Sequence, residues 1–138
     1  MKLTELEKLI IEARLDGQSF SLMDEVNQRH SCDQIMLKGA AISGCSLPQT
    51  DFFAEIISNQ ICEFIVKFGY GELTLNEIIL ALQMNAKIGL RYPSGAEVEQ
   101  SVFIGNCFHV DFLGKVLYNY MSLRNLLDNK FKNVIDGY

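Results

Sequence analysis

Apolar residues recur at three- and four-residue intervals along most of this chain, the spacing that lines one face of an α-helix. In residues 4–16 the repeat is carried by Leu6, Leu9, Ile10 and Ala13. Thr4 and Glu7 have the capping-box spacing, in which two side chains satisfy free amides at a helix start. Gly17 marks a stop. Residues 18–33 are mostly polar. There Ser21 predicts the cap of a short helix to His30, and a second weak helix is expected over 33–43. Gly44 to Gln49, with Pro48 inside it, interrupts the pattern.

A helix then runs from a cap at Thr50 or Asp51 to Phe68. Phe53, Ile57, Ile61, Phe64, Ile65 and Phe68 share one arc of the helical wheel, with Glu55, Ser58, Asn59 and Glu63 mostly opposite. Phe52, Ile56 and Val66 fall outside that arc and leave an apolar flank. After Gly69-Tyr70-Gly71, Thr74 and Glu77 repeat the capping-box spacing. The helix over 75–88 carries two apolar stripes, Leu75/Ile79/Leu82/Ala86 and Leu80/Met84/Ile88, and a helix apolar nearly all round sits at the centre of its fold. Gly89 closes it. Residues 90–108, with Pro93, Gly95 and Gly105, read either as a short hairpin pairing Leu90–Tyr92 with Ser101–Phe103 or as an ordered loop.

The last pattern is the longest, 110–135, with Asp111 as its expected cap. Leu113, Val116, Leu117, Tyr120, Leu127, Phe131, Val134 and Ile135 fall on one stripe. The fold class is therefore mainly α: a small multi-helix bundle with a central buried helix at 75–88, a long C-terminal helix at 110–135 and a short β-hairpin or loop within 90–105. One domain spans 1–138, with residues 1–34 as a looser N-terminal segment.

Composition supports a packed core. The 138 residues are 49% hydrophobic and 21% charged, and chains of this length bury roughly two-thirds of their unfolded surface. The net charge of -5 is too mild to name a partner. Residues 1–60 hold five basic and nine acidic groups and residues 111–138 four and three, so only the C-terminal end leans basic. The four cysteines, Cys32, Cys45, Cys62 and Cys107, are irregularly spaced and read as separate thiols. The charged, amphipathic first segment is not expected to be a signal peptide, and no apolar run of roughly 18 residues occurs in the sequence. The expectation is a cytoplasmic protein with no membrane contact.

Arg124 is the anomaly. It lies within the apolar stripe of the last helix, about 20° from Leu113 and Phe131 on the wheel, and arginine is rarely buried without a partner. Three readings are open: its stem packs while its head reaches water, it forms a buried ion pair, or it binds an anion or ligand. Glu77, on the second stripe of its own helix, is the best partner, since carboxylate and guanidinium match in bidentate geometry. Tyr120, one turn before Arg124, is placed to add a hydroxyl.

A second constellation is His30, Cys32, Cys107 and His109, two Cys/His pairs with the ligand types of a tetrahedral zinc site but not the spacing of a common zinc finger. A Cys107 nucleophile beside His109 lacks any oxyanion hole, and unrelated thiols with His109 near a helix cap are the plainer account. No phosphate cradle, H-E-x-x-H, G-x-S-x-G or calcium loop occurs. No catalytic residue and no cofactor is assigned. Lys115, Lys130 and Lys132 do not share a face, as a phosphate-tracking ridge would require.

The stretches LTLNEIILAL (73–82) and FLGKVLYNYMSLR (112–124) resemble a pattern in uncharacterised helical proteins of gut bacteria and their mobile elements. The matching positions are Thr74, Glu77, Ile78, Ala81, Val116, Leu117, Tyr120 and Arg124. The resemblance implies no activity and hints at an accessory role in a phage or mobile element. Taken together, the expectation is a non-enzymatic interaction protein that binds a protein partner or itself. Nucleic-acid binding is the alternative, and small-ligand or anion binding through Arg124, Glu77 and Tyr120 is the third.

Overall fold

A helix begins where a side-chain oxygen can take its first free amides, and four of the five helix starts show this directly. The computed structural model describes residues 2–43, 47–88 and 110–136. Among them lie α1 (Glu5–Leu15), α2 (Glu25–Ser43), α3 (Asp51–Lys67), α4 (Leu75–Ile88) and α5 (Val110–Asp136), with single 3-10 turns at Phe20–Leu22 and Tyr70–Glu72. Thr4 Oγ1 accepts from the Glu7 amide at 3.1 Å, and the Thr4 amide donates to Glu7 Oε1 at 2.9 Å. Asp24 Oδ1 accepts from the Asn27 amide at 2.8 Å, and Thr50 Oγ1 from the Phe53 amide at 3.2 Å. Thr74 caps α4 in the same way, accepting from the Glu77 amide at 3.1 Å. Such caps contribute about 1 kcal/mol each.

Two sequence expectations change here. The pair of short helices over 21–30 and 33–43 is one continuous helix, α2, because Asp24 supplies a cap that Ser21 does not. The apolar face of α2 begins only at Cys32 and continues through Ile35, Met36 and Ala40, all buried, whereas Val26 in its first turn is exposed. Asp111, expected to cap the last helix, is the second residue of α5. The hairpin expected at 90–105 lies outside the described residues. Among those described there is no strand, only an isolated antiparallel bridge between Ser19 and Thr74.

That bridge joins the two connectors. The Phe20 amide donates to the Leu73 carbonyl at 2.8 Å, which lays the turn before α2 alongside the turn before α4. The approach is close: a Cβ on Gly71 would stand 3.0 Å from Ser21 Cβ. Gly69 ends α3 in the left-handed region at φ 78°, where a side chain is strained.

Helix α4 packs on α1, α2 and α5, while α3 packs on α2 and α5. Ile10 of α1, Phe20, Ile35 of α2, Ile61 of α3, Leu82 of α4 and Leu117 of α5 meet in one core, each at most 1% exposed. Ile10, Phe20 and Cys32 come from the first 34 residues, so that stretch contributes to the core. The α3–α5 contact is tight at Gly114, where a Cβ would come within 2.9 Å of Phe64 Cζ. No described helix is long and apolar enough to cross a membrane.

Candidate functional site

The first turn of α4 places a carboxylate inside the bundle. Glu77 is the third residue of α4 and is 0% exposed. Its Oε1 accepts from the Thr74 amide at 3.2 Å, closing the capping box. Its Oε2 accepts from Tyr120 Oη at 2.7 Å and from Arg124 Nε at 2.8 Å. Tyr120 and Arg124 are four residues apart on α5, so they project from one face and reach one oxygen. Arg124 is 8% exposed. Its other end lies 3.5 Å from Glu72 Oε1, at the exposed end of the 3-10 turn.

Thr74 extends the cluster to α1. While its hydroxyl oxygen accepts from the Glu77 amide, its proton goes to the Ala13 carbonyl at 2.7 Å. Further along the same seam Arg14 meets Asp128 at 2.6 Å, and Lys130 reaches Glu7 at 3.0 Å. Asn76 donates to the Asp16 carbonyl and carboxylate at the end of α1. The first turn of α4, the last turns of α1 and the middle of α5 are thus joined through polar atoms at the edge of an apolar core.

Burial first, and then the hydrogen bond and charge of Glu77, push the Tyr120 phenol far above the ordinary tyrosine range. Burial works against the charge of Arg14, but the hydrogen bond and charge of Asp128 outweigh it and hold the guanidinium more firmly protonated. The Thr4 amide, with Lys130, lowers the Glu7 carboxyl. Because Tyr120 ionises less readily in the fold than in the unfolded chain, the stability this contributes is whole below about pH 10 and is lost as pH rises toward the folded value. In an alkaline titration followed by ultraviolet absorbance and circular dichroism, the Tyr120 phenolate is expected to appear only as helical signal is lost. Ionisation of every tyrosine with the helices intact would contradict this.

The second sequence constellation does not assemble. Cys32 is joined to Cys62 in a disulfide that ties α2 to α3, with Cα atoms 5.9 Å apart. A sulfur in a disulfide is no longer a thiolate able to hold zinc, so Cys32 leaves the set. His30 is exposed on α2, and Cys107 and His109 lie outside the described residues. Among the described residues no three His, Cys, Asp or Glu side chains converge on a metal position. The bridge also corrects the reading of Cys32 and Cys62 as separate thiols.

Several participants carry no signal in the sequence. Arg14 and Asp128 are 114 residues apart, and nothing local marks them as partners. Ser58, expected on the polar side of α3, is buried and donates to Asp33 Oδ1 of α2 at 2.7 Å. Phe53 and Phe68, expected in the core arc, are exposed, as is the flank formed by Phe52, Ile56 and Val66. No protein-family model matches the chain, no curated protein matches it and no solved structure matches its fold.

Proposed function

We propose that this chain is a non-enzymatic interaction protein whose α3 docks on the α3 of a second copy. The observation that carries the reading is the apolar flank of α3. Phe52 is 68% exposed, Phe53 57%, Ile56 37% and Val66 64%, large apolar side chains on one helix that no described residue covers. The polar cluster supports it from the other side. Both oxygens of Glu77 are taken, Tyr120 is held neutral and Arg124 is nearly closed off, an arrangement suited to fixing how helices dock rather than to receiving a ligand.

A second copy is the occupant because the two ends of the strip complement each other when two copies run antiparallel. Phe52, Ile56, Asn59, Glu63 and Val66 follow alternating steps of four and three, the spacing of a helix-pairing seam. Two such strips running antiparallel and centred on Asn59 set Phe52 against the partner's Val66 and Asp51 against the partner's Lys67. A polar residue at the centre of such a seam fixes its register. Glu63 then faces the partner's Glu55, whose charge is offset by Arg29 at 3.3 Å. Nucleic-acid binding is less well supported, since Lys130 is engaged by Glu7. An accessory role in a phage or mobile element, and a cytoplasmic location, belong to this reading as expectations of the sequence.

Analytical ultracentrifugation over a range of concentrations tests it. A reversible dimer is expected, and Ile56→Glu should weaken it by tenfold or more, about 1.4 kcal/mol or above. Lys67→Glu should also weaken it, and adding Asp51→Lys should restore it. A monomer at every concentration, or a dimer indifferent to Ile56→Glu, would overturn the proposal.

A further inference from the structure

The Cys32–Cys62 bridge has two unlike ends. Cys32 is 0% exposed, packed in the core beside Ile35 and Met36 of α2. Cys62 is half-buried and, with Glu63, Val66 and Lys67, lines a surface hollow on α3. Thiol–disulfide exchange proceeds by attack of a thiolate on one sulfur, and access decides which sulfur is attacked. A bridge buried at both ends is inert, whereas this one meets the surface at a single end.

From this asymmetry we infer that Cys62 is an exchange site for low-molecular-mass thiols, with Cys32 as the buried resolving partner. The thiolate of the small molecule enters the hollow and bonds to Cys62 Sγ. The Cys32–Cys62 bond breaks, and its electron pair leaves on Cys32 Sγ, which takes up a proton. The product is a mixed disulfide on Cys62 and a thiol at Cys32. A second small thiolate, attacking the small-molecule sulfur of the mixed disulfide, forms the oxidised small-molecule disulfide and expels Cys62 as a thiolate, which takes up a proton. Alternatively the Cys32 thiol gives up its proton, attacks Cys62 Sγ, expels the small thiolate and restores the bridge.

The return step is built into the packing. The helices that carry the two sulfurs stay in register through the Ser58–Asp33 hydrogen bond at 2.7 Å and the Arg29–Glu55 pair at 3.3 Å. The core contacts of Ile35, Ile61 and Ile65 sit between the same helices. Opening the bridge therefore leaves Cys32 beside its partner, as a resolving cysteine must be.

The test uses the full chain carrying Cys45→Ser and Cys107→Ser, diluted until it is monomeric so that self-association plays no part. After air oxidation, alkylation in denaturant is expected to find no free thiol. Brief exposure of the folded chain to excess reduced glutathione, followed by acid quenching and fragmentation mass spectrometry, should then place one adduct on Cys62 and one alkylatable thiol on Cys32. An adduct on Cys32 or equally on both sulfurs, two free thiols after oxidation, or no adduct until the chain is unfolded in urea would each overturn the inference.

Discussion

Arg124→Ala is expected to destabilise the fold by about 3–5 kcal/mol, because it strips the cation from a carboxylate that cannot reach water. Glu77 is 0% exposed, and Arg124 Nε is 2.8 Å from its Oε2. Domains of this size hold only about 5–15 kcal/mol in total, so the loss brings the protein close to its unfolding threshold. Urea titration should show a lower midpoint, and thermal melting a fall of about 10–15 °C. Arg124→Lys should fall between, since a lysine carries the charge but cannot span Glu77 and Glu72 with a planar fork. Removing the whole cluster together, with Glu77→Leu, Tyr120→Phe and Arg124→Leu, should recover most of the loss, because buried polar partners removed jointly leave less unsatisfied. If Arg124 instead served a ligand, Arg124→Ala would melt close to the parent chain, and that result would refute the structural assignment.

The second large effect is at the bridge. Cys32 and Cys62 are separated by 30 residues. Closing a loop of that length lowers the entropy of the unfolded chain by an amount worth about 3–4 kcal/mol in the chain-entropy view. Comparing oxidised and reduced protein by differential scanning calorimetry should show the reduced form melting lower by about 10 °C. Cys32→Ala with Cys62→Ala should melt near the reduced form and lose its response to reductant. Helical circular dichroism should persist in both, because α2 and α3 keep the Ile35, Ile61 and Ile65 core. Coincident melting curves with and without reductant would mean that the bridge does not constrain the unfolded chain.

How much of this was legible in the sequence depended on whether the deciding interaction was local. Caps are local: Thr4 with Glu7 and Thr74 with Glu77 announced α1 and α4 to within a residue, and Thr50 was one of two caps named for α3. Long stripes are nearly so, which is why α5 was placed along almost its full length. α2 reads as two helices in the sequence because its first turns hold no buried apolar residue and its cap is Asp24, three residues beyond Ser21. The Arg124 anomaly was readable because one charged residue interrupts a stripe, and few side chains near it could answer a guanidinium. Nothing equivalent marks Arg14 and Asp128, which are exposed enough to look like ordinary surface charges until the chain brings α1 against α5. The cysteine pairing was hidden for the same reason. Spacing alone does not say that two helices will hold two sulfurs side by side, and both Cys32 and Cys62 pack well as small apolar residues.

The flank of α3 shows the opposite limit. A helical wheel sorted Phe52, Ile56 and Val66 out of the core arc but kept Phe53 and Phe68 in it. The wheel assigns a face but not which positions along that face a neighbour covers. Both residues sit at the ends of α3 and are exposed, Phe53 edge-on to Phe52 at 5.8 Å and Phe68 against Phe64 at 4.8 Å. Helix ends are where a periodic pattern and a finite core disagree.

The central claim is that Glu77 and Arg124 act as one internal strut between α4 and α5. A double-mutant cycle with Glu77→Gln, Arg124→Gln and the pair, read by urea unfolding, measures this directly. Coupling of about 2 kcal/mol or more is expected, with the double variant more stable than the two single losses would sum to. Losses that add to within about 0.5 kcal/mol would show the two side chains to be energetically independent, and the account of how α5 is docked would be wrong.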